Sequence, residues 1–170
     1  MTDAVFQVAF EQHKDAVYRF AWRMSASPSA AEDVTQDVFL TLLRQPDRFD
    51  PARGSLRAFL LGIARNLVLK RWRDEQRWDE LHDEQFVAPL LTDGQSEIGE
   101  LVGRAVQSLP PLQREVVILA EYEELTLADI ARAVDAEVGT VKSRLHRGRE
   151  NLRKMLAPLR MNAHGTAGRS

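Results

Sequence analysis

Val138-Gly139-Thr140-Val141-Lys142-Ser143-Arg144-Leu145-His146-Arg147-Gly148-Arg149 opens a stretch of helical periodicity that decides how this chain is read. Val138, Val141, Leu145, Leu152 and Leu156 fall on one stripe. At about 100° per residue the opposite face centres near Ser143, with His146, Arg147, Glu150 and Lys154 around it. Upstream, Thr126-Leu127-Ala128-Asp129 fits a capping box, in which the hydroxyl caps the helix and the acid reaches back. The helix it opens is short, and Val134-Asp135-Ala136-Glu137 connects it to the next one, which is helix-turn-helix spacing. An apolar stripe packed on preceding helices leaves the opposite face free to enter a major groove. Arg147 can present its fork to guanine, Ser143 and His146 can donate or accept, and Arg144 and Arg149 lie on the flanks where phosphates run. The competing reading is an amphipathic helix with a solvated basic face.

Outward from there the spacing is helical almost throughout, so the expected fold is all-α. Helices are predicted over about residues 4–24, 28–44, 56–73, 97–108, 111–122, 127–133 and 138–157. Ser27 precedes Pro28 as an N-cap before a proline at the first helical position, and Ser55 can cap the third helix. Residues 75–96 lose the period, gain acids and contain Pro89 and Gly94, which reads as a flexible acidic linker with a short helical turn near its start. The predicted organisation is therefore two small helical domains, 1–74 and 97–160, joined by the linker 75–96 and followed by a disordered tail, 161–170. Each half has too few residues for a large core, so each is expected to be marginally stable without partners.

The net charge of −2 conceals strong segregation. Residues 53–73 carry six basic side chains and no acid, and residues 138–160 carry seven basic and one acidic. Between them, residues 74–100 have nine acids and one base, and residues 115–137 have seven acids and one base. Two basic blocks in an otherwise acidic chain imply two local contacts with a polyanion. The 170 residues include no cysteine, which excludes a disulfide scaffold, a thiolate zinc site and a cysteine nucleophile. No apolar run spans a membrane, and Met1-Thr2-Asp3-Ala4 lacks the start of a signal peptide, so a bacterial-type cytoplasmic location is expected.

The C-terminal residues Leu109-Pro110-Pro111-Leu112-Gln113-Arg114-Glu115-Val116-Val117, together with the 138–149 stretch, closely resemble region 4 of extracytoplasmic-function (ECF) sigma factors of the sigma-70 family. The resemblance implies reading of the promoter −35 element through Lys142, Ser143, His146 and Arg147, with Thr140, Arg144 and Arg149 alongside. Three positions depart from the family pattern. Asp135 stands where glycine is usual, and aspartate tolerates a left-handed turn better than most residues. Glu137 replaces a common proline. Gly148 replaces alanine, at a cost of about 1 kcal/mol in helix propensity, and leaves room for close packing.

Ala30-Ala31-Glu32-Asp33-Val34-Thr35-Gln36-Asp37-Val38-Phe39-Leu40 resembles region 2.2 of the same family. Periodicity puts Val34, Val38, Phe39, Leu42 and Leu43 inward and Leu40 amid Asp33, Gln36, Asp37 and Arg44. Leu40 is then either a docking anchor with a polar rim or a single exposed leucine of no consequence. The resemblance implies that this face, Asp33, Gln36, Asp37 and Leu40, binds core RNA polymerase. Residues 54–73 resemble regions 2.3 and 2.4. Lys70, Arg71 and Arg73 surround Trp72, which suits either a stacked, separated strand or a buried core aromatic. By resemblance, the −10 element is captured by the loop at residues 49–55, with Phe49, Asp50, Arg53, Gly54 and Ser55, and by Arg65, Asn66, Lys70, Trp72 and Arg73. The family often has tryptophan at Phe59 and aspartate at Lys70.

The implied function is an alternative sigma factor that binds core RNA polymerase and directs promoter-specific initiation. Its implied partners are core polymerase, promoter DNA and an anti-sigma factor that can hold it at the membrane. No cofactor, metal or catalytic activity is expected: His13, His82, His146 and His164 lack metal-binding spacing, and there is no phosphate-binding glycine loop or serine elbow. The competing function is a helix-turn-helix repressor that binds operators as a dimer, which has no need of the basic segment 65–73. A purely protein-binding adaptor has no need of two basic blocks.

Overall fold

The computed structural model describes residues 1–75 and 98–165, and the side chains of residues up to 159. Three helices form the N-terminal half: α1 (Asp3–Ser25), α2 (Pro28–Arg44) and α3 (Leu56–Asp74), with a 3-10 turn, Pro46–Arg48, after α2. Their starts are local chemistry. The side chains of Thr2, Ser27 and Ser55 accept from the N–H groups of Val5, Ala30 and Ala58, each satisfying a donor that the helix leaves orphaned. Pro28 fills the first position of α2, where no N–H is needed. Phe20, Met24, Val38, Leu42, Leu60 and Leu61 make the centre of this bundle, and Phe10 meets Phe39 edge-on at 5.0 Å. Helix α3 is buried nearly all round, through Ala58, Leu60, Leu61, Gly62, Ala64, Val68, Leu69 and Trp72.

The C-terminal half contains α4 (Ile98–Ser108), α5 (Pro111–Val117), a π-helical turn at Ile118–Tyr122, α6 (Leu127–Ala133) and α7 (Val138–Gly165). Thr126 Oγ1 accepts from the Asp129 N–H at 3.1 Å, so the cap is made. The reciprocal arm of the capping box is replaced: Asp129 Oδ1 accepts from Arg132 Nη2 at 3.2 Å. Asp135 adopts φ 51°, the left-handed conformation required between α6 and α7. Val141 and Leu145 pack inward with Ile130, Val116 and Val117, and Gly148 is buried against Val117.

Two expectations are corrected. Helix α7 does not stop near residue 157 but runs through Pro158 to Gly165. Leu159, Arg160 and Met161 are good helix formers and carry the helix past the proline, so the disordered tail expected from residue 161 does not begin there. Leu43, expected in the core, is 50% exposed, because Val34, Val38, Phe39 and Leu42 already fill the inward face of α2. Residues 76–96 of the linker, with its expected helical turn, lie outside the described residues, as do the last five residues of the tail.

The two halves pack against each other, and their buried residues form one continuous cluster. Helix α3 lies on α6. A Cβ on Gly62 would stand 3.3 Å from Ala133 Cα, so glycine sets how closely the two helices approach. Two cores too small to be secure alone thereby share apolar surface.

Candidate nucleic-acid interface

The face of α7 opposite its buried stripe is open. Thr140, Lys142, Ser143, His146, Arg147 and Arg149 are exposed, while Val141 and Leu145 are buried beneath them. Ser143 Oγ donates to the Thr140 carbonyl at 3.2 Å, which leaves its oxygen free to accept. Lys142, His146 and Arg147 have no ion-pair partner among the described residues, so their donors point to solvent. Arg149 differs: its Nε and Nη2 both reach Glu121 Oε1, at 2.7 and 2.6 Å. Arg144 is half-buried, and its charge bears on the buried Glu115.

A second surface surrounds a cavity of about 400 Å³ where α3, the loop before it and α6 meet. Arg48, Phe49, Asp50, Arg53, Gly54, Ser55, Phe59 and Asn66 line its N-terminal side, and Asp129, Arg132 and Asp135 line the other. Phe49 and Phe59 lie 5.5 Å apart at 50° and give the cavity an aromatic wall. Asp50 Oδ1 accepts from the Ala52 N–H at 3.0 Å, which fixes the loop, and Arg53 stands 3.9 Å from the same carboxylate. Lys70 and Arg73 are exposed farther along α3.

Two residues expected at this surface are not available there. Trp72 is 5% exposed, under the guanidinium of Arg114, which sits 5.4 Å from its ring centroid. Its large apolar area is buried in the core, so of the two readings the core one holds in this conformation. Arg65 forms a fork on Glu115 of the other half, Nε to Oε2 at 2.7 Å and Nη2 to Oε1 at 3.1 Å. The Glu115 side chain is fully buried, and burial raises its pKa, against the opposing pull of Arg65 and then Arg144.

On α2, Asp33, Gln36, Asp37 and Leu40 are all exposed on one stripe, with Leu40 at 41%. Asp33 pairs with Arg71 of α3 at 3.5 Å, an exposed contact of little energetic weight.

The family model for sigma-70 region 2 matches residues 9–78, and that for sigma-70 region 4 matches residues 99–152. The ECF RNA polymerase sigma factor SigW of Bacillus subtilis (strain 168) is 32% identical over 162 residues, covering 86% of this chain and 86% of its own. The chain belongs to the ECF sigma factors. SigE of Mycolicibacterium smegmatis is 35% identical over 86% of this chain, and the chain spans 59% of the length of that relative. Among solved structures, the sigma factor RpoE of Bartonella quintana, in complex with the anti-sigma factor NepR, aligns with TM-score 0.68 and 28% identity, covering 89% of this chain and 96% of that one.

The region 2 match takes in the whole of α3 with the cavity loop, and the region 4 match takes in the exposed face of α7 as far as residue 152. Sequence reasoning about this sigma factor missed Glu115 and Glu123, which are fully buried and grip arginines of the opposite half. It also missed Arg48 and Arg132 at the cavity. The signal was present in the charge map: the acid-rich block 115–137 lies on the wholly basic block 53–73. Among the described residues no helix is long and apolar enough to cross a membrane, and no cluster of three metal-ligating side chains occurs.

Proposed function

We propose that this sigma factor recruits core RNA polymerase through Asp33, Gln36, Asp37 and Leu40, and reads the −35 element with α7. The observation that carries the second part is the sidedness of α7, where Val141 and Leu145 are buried and Lys142, Ser143, His146 and Arg147 are exposed, the two cations and the imidazole without an ion-pair partner among the described residues. Arg147 reads a guanine, Ser143 and His146 contact neighbouring bases, and Thr140, Arg144 and Arg149 hold phosphates. The −10 strand runs along the cavity loop, with an unstacked base against Phe49 and Phe59 and the backbone on Arg53, Lys70 and Arg73. Residues 1–74 and 97–160 act as the two promoter-binding domains, and the acidic segment between them follows the nucleic-acid path of the polymerase. An anti-sigma factor is the expected regulator, as with the RpoE protein of similar fold. The test is transcription in vitro. Core polymerase supplemented with the chain should initiate at promoters that core alone ignores, and Arg147→Ala should reduce that initiation. Tight, palindromic binding by a dimer without polymerase would establish the repressor reading instead.

A further inference from the structure

Helix α7 is fastened to the body behind it over one short stretch, directly after Arg147. Gly148 is buried, and α7 rests there on α5 with its backbone: a Cβ would stand 2.7 Å from Val117 Cγ2 and 3.6 Å from Gln113 Cβ. Farther along, Asn151 Nδ2 donates to Gln113 Oε1 at 2.7 Å. Between these two contacts Arg149 is drawn back onto Glu121. Gln113, Val117 and Glu121 follow one another at four-residue intervals through α5 and into the π-helical turn, so the three contacts run along a single ridge.

Ahead of this stretch, Lys142, Ser143, His146 and Arg147 are exposed, and Val141 and Leu145 hold the helix from beneath. Arg147 is the neighbour of Gly148 in the chain, so its Cα moves with the seat. When a helix-turn-helix docks, the helices before the second one rest on the phosphate backbone while that second helix enters the groove. The depth and pitch of α7 in a groove therefore follow from its distance to α5, and Gly148 fixes that distance. Any side chain at 148 forces α7 or Val117 back by several tenths of an ångström, since ordinary contacts begin near 3.4 Å. Val117 is buried and β-branched and yields little, so α7 takes most of the shift. A bidentate fork on a base edge tolerates only about 0.5 Å of misplacement. A long, exposed side chain on a phosphate is under no such constraint.

We propose that Gly148 is a positioning residue for −35 recognition: seated on Val117 and held there by the Gln113–Asn151 hydrogen bond, it sets the depth at which Lys142, Ser143, His146 and Arg147 meet base edges. Residue 148 touches no DNA, yet its size helps to decide which sequence the chain prefers. The proposal rests on the reading of α7 as the −35 helix and adds a determinant on the opposite, buried face. A glycine of purely structural importance would change how much of the protein is folded. It would leave the preference of the folded molecules among DNA sequences as it was.

The experiment uses the full chain. Preferred duplexes are selected from a randomised pool, and a selected and a random duplex are then titrated at fixed salt. The readout is the ratio of the two affinities, which does not depend on the folded fraction; helicity is measured alongside. Gly148→Ala should lower the ratio about tenfold, the discrimination carried by one misaligned bidentate contact, with affinity for the random duplex unchanged. Gly148→Ala with Val117→Ala removes the overlap and should restore most of the ratio. Gln113→Ala and Asn151→Ala delete the same hydrogen bond, so each should lower the ratio by a smaller factor, with no further loss in the pair. A folded Gly148→Ala chain with an unchanged ratio overturns the proposal, and so does a loss that Val117→Ala fails to reverse. If Gly148→Ala does not fold, unchanged ratios in Gln113→Ala and Asn151→Ala overturn it. An unmutated chain that selects no duplex, alone or with core polymerase, defeats the reading of α7 and the proposal with it. A preference that Arg147→Ala abolishes and Gly148→Ala leaves intact defeats the seat alone.

Discussion

Gly148 of α7 is seated directly on Val117 of α5: a Cβ at Gly148 would stand 2.7 Å from Val117 Cγ2, a separation that real contacts do not allow. Val117 is itself buried and β-branched, with few rotamers to yield. Gly148→Ala should therefore destabilise the chain by about 1–3 kcal/mol through overpacking, despite the roughly 1 kcal/mol that alanine gains in helix propensity. Val117→Ala should cost stability alone but relieve the clash in combination. Chemical denaturation of the four-member cycle reads the coupling, and strict additivity would show that the helices adjust freely.

Arg147 and Arg149 sit two residues apart with different commitments. Arg147 has no ion-pair partner among the described residues, and Arg149 is held by Glu121. Arg147→Ala should weaken binding of a cognate −35 duplex by about 1–3 kcal/mol and relax its sequence preference. Glu121→Ala should instead free Arg149 and steepen the salt dependence of binding by about one phosphate contact, with no change in sequence preference. Titrations at several salt concentrations separate the two effects, and equal losses on cognate and random DNA would reassign Arg147 to a phosphate.

Leu40 stands in a polar stripe and its exposure makes it dispensable to the fold. Leu40→Asp with Asp37→Ala should abolish capture of core polymerase while shifting stability by no more than about 0.5 kcal/mol. Leu43→Asp, one turn along the same helix and also exposed, provides the comparison. Undiminished capture by the first variant would move the docking face away from this stripe.

His13 of α1 has its pKa lowered from the ordinary 6.5, first by burial and then by the charge of Arg57. The unfolded chain therefore takes up the proton more readily than the folded one. Stability contributed by neutral His13 is fully present above 6.5 and is lost as the pH falls from there toward the folded value. Because buried Glu115, with its raised pKa, acts in the opposite sense, the contrast is between variants: from about pH 7.5 to 5.5 the denaturation midpoint of the unmutated chain should lose more on acidification than that of His13→Gln. An equal slope in the variant would assign it to another group.

Much of the fold was legible in the residues because it depends on neighbours in the chain. Ser27, Ser55 and Thr126 cap the helices that they precede, since a hydroxyl three residues upstream of an orphan N–H needs no tertiary help. Asp135 takes the left-handed turn for an equally local reason. The exposed face of α7 follows from the phase of Val141 and Leu145, and the exposure of Leu40 from the phase of Val34 and Val38. Periodicity could not say that Leu43 would be left outside, because that depends on how much volume Val34, Phe39 and Leu42 already fill against α1 and α3. Nor could it choose between a stacking and a buried Trp72, since the ring lies beneath Arg114, a residue 42 positions away. The fate of Arg65 is of the same kind. Sequence determined that the block 53–73 is basic and the block 115–137 acidic, but net charge has no direction. Only the packing of the two halves, with α6 on Gly62 and Arg114 on the Met24 carbonyl, brings Glu115 and Glu123 within reach of Arg65 and Arg57, where burial turns a diffuse attraction between solvated blocks into specific ion pairs.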